Sequence, residues 1–319
     1  MKELSIVVPC YNEDEVLQQT NTSLSLLLSH LIAEGKIADS SCIYYVDDGS
    51  KDSTWSIIEK FSCESKYISG IKLSRNMGHQ NAVLAGLLSV NGDFVISIDA
   101  DLQDDVGAIE LMIDACNEGS EIVYGVREDR ATDTKFKRYT AEVFYALLAR
   151  LGVDVVHNHA DYRLMTRKAI EALKEYREVN LFLRGIVPLI GFKSSVVHYK
   201  RGPRFAGESK YPIKNMLSLA WEGVTSMSIV PLRFVTVAGA IVFLLSILLS
   251  LFVVGVRLFT NQALPGWAST VLPIYLLGGV QILCIGIIGE YLGKIYKEVK
   301  ARPRFLIEKI CGRELLVPD

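Results

Sequence analysis

Two stretches of this chain run without a charged side chain for longer than a bilayer is thick. Residues 234–256 form an uncharged run of 23 and residues 268–289 one of 22, with Gln281 the most polar member of the second. About 20 consecutive apolar residues cross the hydrocarbon core as a helix. One such run would also suit a buried core helix. Two in tandem, joined only by residues 257–267, suit a transmembrane hairpin better. The connecting loop holds one basic residue, Arg257. Arg233 precedes the pair, and Lys294, Lys297, Lys300, Arg302 and Arg304 follow it. Positive charge collects on the cytoplasmic side, so both termini are expected in the cytoplasm and the short loop outside. Gly278, Gly279, Gly286 and Gly289 leave room for close helix packing, within the hairpin or in an oligomer.

Composition agrees with a membrane-associated chain. Half of the 319 residues are hydrophobic, and the mean hydropathy of +0.27 is high for a soluble enzyme. A formal net charge of −2 lacks the basic excess of a nucleic-acid binder, so no nucleic-acid partner is expected. Cys10, Cys42, Cys63, Cys116, Cys284 and Cys311 form no CxxC pair and have no histidine at metal-ligand spacing. They read as small buried hydrophobes in a reducing compartment. The strand at 4–8 begins almost at Met1, which leaves no room for a signal peptide.

Upstream of the apolar runs, residues 1 to about 126 alternate strand and helix. Apolar β-rich segments at 4–8, 42–46, 68–73, 94–98 and 122–126 alternate with helical periodicity at 16–31, 57–61, 82–88 and 108–116. The acidic stretch Asn12-Glu13-Asp14-Glu15 is expected to cap the first helix, and Ser53 the second. This βαβα order implies an α/β fold whose mostly parallel sheet is covered on both faces. Further on, a helix is expected at 136–151, a short strand at 161–165 feeding a helix at 167–173, and a strand at 194–199. Residues 200–212 are a Gly- and Pro-rich basic loop. From Lys193 to Arg233 there are seven basic side chains against two acidic ones, a composition suited to capturing phosphate. Residues 213–229 read as an amphipathic helix lying on the bilayer surface.

Polar clusters sit where strands end: Tyr11-Asn12-Glu13, Asp47-Asp48-Gly49-Ser50, Arg75-Asn76, and Asp99-Ala-Asp-Leu-Gln-Asp-Asp105. Ligands of open α/β sheets bind beyond the carboxyl ends of the strands. Several acids at the end of a buried strand repel one another unless a cation lies among them. Hard oxygen ligands suit Mg²⁺ or Mn²⁺, ions that bridge to substrate phosphates. The plainer alternative is a solvated acidic turn. Neither GxGxxG nor GxxxxGK[ST] is present, so the dinucleotide and P-loop fingerprints are missing.

The stretches VVPCYNE (7–13), VDDGSKDST (46–54), SRNMGHQNAVLAGL (74–87), DADLQDD (99–105) and ADYRLM (160–165) resemble family 2 glycosyltransferases of the GT-A fold. With the two apolar runs and the RPRF tail (302–305), the chain is similar along nearly its whole length to the bactoprenol glucosyltransferases, relatives of dolichyl-phosphate mannose synthase. The resemblance implies a Rossmann-like catalytic domain over residues 1–212. Beyond it come an interfacial helix over 213–230, two spans within 231–293, and a basic cytoplasmic tail over 294–319. It implies a bacterial plasma-membrane enzyme, a homo-oligomer and most simply a tetramer. That enzyme would transfer glucose from UDP-glucose to polyprenyl (undecaprenyl) phosphate for cell-envelope glycan modification such as that of O-antigen.

Carried over by motif, Pro9, Tyr11, Glu13 and Asp48 would hold the nucleotide, with Arg75 beside them. Asp99 and Asp101 would bind Mg²⁺ or Mn²⁺ and the donor diphosphate, with Gln103 close by. Asp161 would face the acceptor, as a base or to orient a basic residue or sugar hydroxyl. Arg127, Arg163, Arg201, Arg204 and Lys210 would meet the lipid phosphate or the leaving diphosphate. Asp105 stands where the family often has proline. Asp104 and Asp105 either tune the metal site or cap the next helix. A processive polysaccharide synthase is disfavoured, because no tryptophan completes a QxxRW motif. A non-catalytic scaffold leaves the acidic cluster unexplained, and two spans offer little path for a flippase.

Overall fold

The computed structural model describes residues 1–127, 159–200, 230–259 and 267–313. In chain order the first elements are β1 (Leu4–Cys10), α1 (Leu17–Ala33), β2 (Cys42–Asp47), α2 (Thr54–Glu64), β3 (Ile68–Leu73), α3 (His79–Ser89), β4 (Phe94–Ser97), α4 (Ala108–Asn117) and β5 (Ile122–Arg127). The chain continues with β6 (His159–Thr166), α5 (Arg167–Lys174), α6 (Leu183–Leu189) and β7 (Ser194–Tyr199). The long helices α7 (Val230–Phe259) and α8 (Trp267–Lys300) follow, and then β8 (Ile307–Cys311). The expected helix at 136–151, the loop carrying Arg201, Arg204 and Lys210, and the interfacial helix up to residue 229 lie outside the described residues.

All eight strands join one sheet in the order β7-β5-β6-β4-β1-β2-β3-β8. β2 and β4 flank β1 in parallel, β3 continues parallel beyond β2, and β7 runs parallel to β5. Two departures from a wholly parallel sheet are β6, antiparallel to both β4 and β5, and β8, antiparallel to β3. The strands read as continuous apolar runs because both faces are covered. Leu4, Ile6 and Val8 of β1 pack with α1, α2 and α4, whereas Val7 packs on the opposite face with α3, α5 and α6. Burial on both faces is what parallel strands in α/β proteins require.

Strand order decides where a ligand can sit. From β1 the chain proceeds to β2 and β3 on one side, then returns to β4 on the other. The carboxyl ends of β1 and β4 therefore diverge at a topological switch point, where a crevice opens. Ile6 lies beside Ile96 and Val7 beside Ser97, so the Tyr11 and Asp99 loops leave the sheet as neighbours. Ser97 also pairs with Arg163 of antiparallel β6. Two residues further along, the same register brings Asp161 alongside Asp99.

The capping expectations fail in detail. Val16, not an acid, precedes α1, and no side chain caps it. Asn12, Glu13 and Asp14 instead stitch their loop to the next one: Asn12 N donates to Ser50 Oγ (3.0 Å), Lys51 N to Asn12 Oδ1 (2.9 Å), and Glu13 N to Thr54 Oγ1 (2.9 Å). Ser53 precedes α2 without a side-chain cap; Asp52 Oδ1 accepts the Thr54 N–H at 3.1 Å instead.

Both uncharged runs are helical, but their extents differ from expectation. α8 has 34 residues, about 50 Å at 1.5 Å per residue, and runs ten residues beyond the charge at Glu290. Among the described residues one stretch, Leu277–Lys300, is long and apolar enough to cross a membrane; α7 contributes the shorter apolar stretch Val230–Val242. After α8 the chain returns to the sheet. β8 pairs Ile71 with Ile310 and Lys72 with Lys309 along the edge of β3. The segment expected only as a basic tail thus covers a sheet edge, which otherwise presents unpaired backbone groups.

Close packing of α3 on the sheet depends on Gly86. A methyl group there would lie 2.2 Å from Val7 Cγ1 and 3.0 Å from Val46 Cγ2. Gly86→Ala is expected to lower the midpoint of thermal inactivation, at a cost of about 1–3 kcal/mol from overpacking. An unchanged midpoint in a melting experiment would contradict this account of the α3–sheet contact.

Candidate active site

The acidic residues at the crevice meet different fates. Asp48, at the end of β2, is buried and accepts the N–H groups of Met77 (2.7 Å) and Gly78 (2.9 Å). Burial raises its pKa and those two amides partly offset the rise. Asp48 thereby fixes the loop that starts α3, and His79 is the first residue of that helix. Gly49 allows the arrangement. Its φ is +68°, and an added Cβ would lie 2.6 Å from the Arg75 carbonyl carbon, so a larger residue would both strain the backbone and push the loop away.

Asp105 braces the turn that leads into α4. Its Oδ1 accepts the Gly107 N–H at 2.9 Å, and its carbonyl accepts the Tyr162 hydroxyl at 2.9 Å. Asp104 is turned inward, with its side chain 1% exposed, and pairs with Arg127 Nη2 at 3.3 Å and with the Tyr199 hydroxyl. Of the two alternatives open for this pair, helix capping is not met by Asp105, whose side chain bonds the turn that precedes α4. Asp104 anchors Arg127, the residue expected to meet phosphate.

Asp161 is clamped by cations. Arg184 of α6 makes a two-pronged contact, Nε to Oδ1 at 3.1 Å and Nη2 to Oδ2 at 3.0 Å. His79 Nε2 lies 3.6 Å from Asp161 Oδ2 and 3.6 Å from Asp99 Oδ1, bridging the two acids. Buried Arg163 reaches to 3.9 Å of Asp161 Oδ1 and stacks over the Tyr124 ring, 5.5 Å from its centroid. Burial by itself would raise the Asp161 pKa. His79 and Arg184 outweigh it and hold the carboxyl well below the usual carboxylate range. An acid so stabilised as its anion is a poor proton acceptor. Of the two expected roles for Asp161, the geometry favours orienting a basic residue. For His79, desolvation opposes the charged form, but Asp161 and Asp99 win and raise its pKa, biasing it toward imidazolium.

Asp99 is the contrasting case. Desolvation pushes its pKa up to about 6, with Asp161, Asp104 and Asp101 adding to the rise and His79 only partly opposing it. Its side chain is 35% exposed toward the crevice. Asp101 Oδ1 accepts the Gln103 N–H at 3.2 Å. Between them Leu102 holds φ +54°, a left-handed conformation costing a branched side chain roughly 1–2 kcal/mol. Gln103 is buried, and its Oε1 has no partner among the described residues. A strained turn, a raised carboxyl and an orphaned oxygen together fit a divalent cation with hard oxygen donors. Among the described residues no three His, Cys, Asp or Glu side chains form a closed metal cage. A site of one or two carboxylates completed by substrate phosphates and water is the usual arrangement for Mg²⁺.

Of the remaining expected residues, Pro9 is buried within β1. Tyr11 is exposed at its end, Glu13 is half-buried, and Arg75 is exposed on the loop beside Gly49. The switch-point crevice gathers Tyr11, Glu13, Asp48, Arg75, Asp99, Asp101, Gln103 and Asp161, all on loops or strand ends at the same edge of the sheet. Arg127 and Arg163 stand behind it in ion pairs, and Arg201, Arg204 and Lys210 are outside the described residues. Two residues escaped sequence reasoning. His79 lies inside a quoted motif without an assigned role. Arg184 belongs to α6, a helix of seven residues with Pro188 inside it, too short for helical periodicity to reveal.

The family model described as "Glycosyl transferase family 2" matches residues 5–174, the segment that contains β1 through α5 and every carboxylate discussed above. The chain belongs to glycosyl transferase family 2. This glycosyltransferase is 51% identical over 321 residues to the uncharacterized glycosyltransferase YkoT of Bacillus subtilis, covering 99% of this chain and 94% of that protein. It is 38% identical over 311 residues to the SfII prophage-derived bactoprenol glucosyl transferase of Shigella flexneri, covering 96% and 98%. A prophage bactoprenol glucosyl transferase homolog of Escherichia coli is 35% identical over 312 residues, covering 97% and 99%. Among solved structures, glucosyl-3-phosphoglycerate synthase from Mycobacterium tuberculosis overlaps 70% of this chain and 76% of its own at TM-score 0.47 and 17% identity. That overlap is too loose to bear on ligands.

The depressed Asp161 pKa gives a signed expectation. A carboxyl held below its unfolded value stabilises the fold above the ordinary carboxylate pKa and loses that contribution as pH falls through the folded value. Arg184→Ala removes the two-pronged cation from Asp161, so less depression remains. The variant should be less stable at neutral pH, and its acid unfolding should begin at higher pH than in the wild type. Thermal melts across the acid range read both; superimposable pH profiles would refute the pairing.

Proposed function

We propose that this glycosyltransferase moves glucose from UDP-glucose to a polyprenyl (undecaprenyl) phosphate at the cytoplasmic face of a bacterial plasma membrane. The observation that carries the reading is the near-full-length similarity to bactoprenol glucosyl transferases, which extends through the apolar helices as well as the catalytic domain. An apolar helix of membrane-crossing length leading straight back to the sheet supports it. In this reading α7 and α8 form the two-span hairpin with both termini cytoplasmic, and the basic loop with Arg201, Arg204 and Lys210 attends the lipid phosphate. Residues 1–212 are the catalytic unit, 213–230 the interfacial helix and 294–319 its cytoplasmic return.

In the reaction the bond from the anomeric carbon to the UDP oxygen breaks, and a bond to an acceptor phosphate oxygen forms on the opposite face, inverting the centre. The acceptor is already an anion at neutral pH, so no base is required, in keeping with the depressed Asp161. Asp99 and Asp101 would hold Mg²⁺ or Mn²⁺, with the buried Gln103 Oε1, unpartnered among the described residues, two residues on as a further candidate donor. Bound there, the ion would supply Lewis-acid stabilisation of charge on the departing diphosphate. Tyr11, Glu13 and Arg75 would line the nucleotide side. Asp48 acts one step removed by holding the loop ahead of His79. Arg184 and His79 counter the negative field of Asp161 and Asp99, which otherwise repels an incoming phosphate.

The same geometry suits GDP-mannose, UDP-galactose, UDP-N-acetylglucosamine or a UDP-4-amino-arabinose derivative, and a donor panel separates these. Purified protein should move labelled glucose from UDP-glucose into the organic phase when polyprenyl phosphate and Mg²⁺ or Mn²⁺ are supplied, and chelation should stop it. Asp101→Asn should lower transfer by at least about a hundredfold while melting like the wild type. Full transfer by that variant would remove the metal–diphosphate assignment. A wild type inert across the whole donor panel would favour a non-catalytic scaffold.

A further inference from the structure

Arg184 is held by an element remote from the crevice. Residues 175–182, which lead into α6, form neither helix nor strand, so few of their backbone groups are fixed by regular hydrogen bonding. Leu183, Ile186 and Val187 pack α6 on the sheet, and the far end of α8 ties down the segment that leads into it. The Glu298 carboxylate accepts the N–H of Val179 (2.8 Å, Oε2), the N–H of Asn180 (2.7 Å, Oε1) and the Asn180 side-chain amide (2.8 Å, Oε1). That amide also approaches the Lys294 carbonyl at 3.4 Å. Just past the helix, Arg304 Nη1 donates to the Tyr176 carbonyl at 2.8 Å. On the crevice side, Gln80 Oε1 accepts the Leu183 N–H at 2.8 Å. Gln80 adjoins His79, and Leu183 adjoins Arg184.

These contacts form one line: α8, Glu298, residues 179–180, the first turn of α6, and then the Arg184–Asp161–His79 cluster. Hydrogen bonds to an ionised carboxylate are roughly twice as strong as neutral ones, and three converge on Glu298. Gln80 ties the start of α6 to α3, so the entry to this core-packed helix is held by both the apolar helix and the helix that carries His79.

We propose that Glu298 is a positioning residue for the transfer reaction: by anchoring residues 179–180 to α8 it sets Arg184 against Asp161, and so couples the apolar helix to the acceptor side of the crevice. The inference rests on the proposed function for its catalytic consequence, while the structural coupling stands apart from it. Glu298 lies on the part of α8 beyond Glu290, where the helix has left its uncharged run. A shift of α8 along or across the bilayer therefore reaches Arg184 without any change in the nucleotide side.

The test uses full-length protein in detergent or vesicles, with two readouts. In transfer assays, Glu298→Ala should raise the KM for polyprenyl phosphate or lower kcat by about tenfold and leave the KM for the nucleotide sugar unchanged. Arg184→Ala should do the same, and the double variant should be no worse than Arg184→Ala alone, because both act through one contact. Losses that multiply, or a matching rise in nucleotide-sugar KM, would overturn the coupling. In hydrogen exchange, Glu298→Ala should speed exchange through 179–187 and leave β1, β2 and β4 unchanged. Faster exchange confined to 179–182 would also overturn it. If Glu298→Ala unfolds the domain, Asn180→Ala gives a milder break by removing one of the three donors to Glu298, and the same two outcomes apply. A wild type that transfers nothing to polyprenyl phosphate would defeat the functional reading alone, since the exchange measurement does not depend on turnover.

Discussion

Mutual repulsion among carboxylates at the ends of parallel strands is the constraint on which the rest of this structure depends. Asp48, Asp99, Asp101, Asp104, Asp105 and Asp161 converge at one edge of the sheet, in surroundings where each uncompensated charge is expensive to desolvate. Four are answered locally: Asp48 by two loop amides, Asp105 by a turn N–H, Asp104 by Arg127 and Tyr199, and Asp161 by Arg184 and His79. Asp99 is answered least, and its pKa rises to about 6. The fold thus concentrates its unmet demand for positive charge at the point where strand order opens a crevice.

The compensating cations do not come from nearby sequence. Arg184 reaches Asp161 from α6, a helix packed on the sheet through Leu183, Ile186 and Val187, whose lead-in is tied to α8 by Glu298 and whose first residue is tied to α3 by Gln80. α8 continues past its apolar run, turns at Arg302–Arg304 and gives β8 to the edge of β3. One connected path therefore joins a helix of membrane-crossing length to the sheet edge on one side and to the crevice on the other. Glycosyl transfer to a lipid, the reaction proposed for this protein, needs that kind of mechanical link between bilayer and catalytic centre.

Much of this was readable in the residues. Apolar runs at 42–46, 68–73 and 94–98 marked central strands because helices bury both faces, which removes the alternation that would otherwise blur them. The DADLQDD stretch marked the crevice because several acids at a strand end demand an explanation. Caps were misread at Asn12–Glu15 and Ser53, since the same polar side chains that cap helices also bridge loops, and only neighbouring backbone decides which. α6 was missed because seven residues hold less than two turns of periodicity. β8 was missed because its five residues are half-exposed and their only strand signal is a partner more than two hundred residues away.

By itself, the sequence determined the local and the bulk properties: which segments are strands or helices, which are too apolar for water, and which residue types gather where strands end. These follow from periodicity, hydropathy and spacing, all short-range. Only the tertiary structure decided which acid is paired, which braces a turn and which is left for a cation. It also decided that Asp161 lies beside Asp99, that Arg184 rather than a nearer arginine neutralises it, and that the end of the chain completes the sheet. Those outcomes depend on strand register and helix docking, where a shift of one residue turns a side chain to the opposite face, and no local pattern records the partner across the gap.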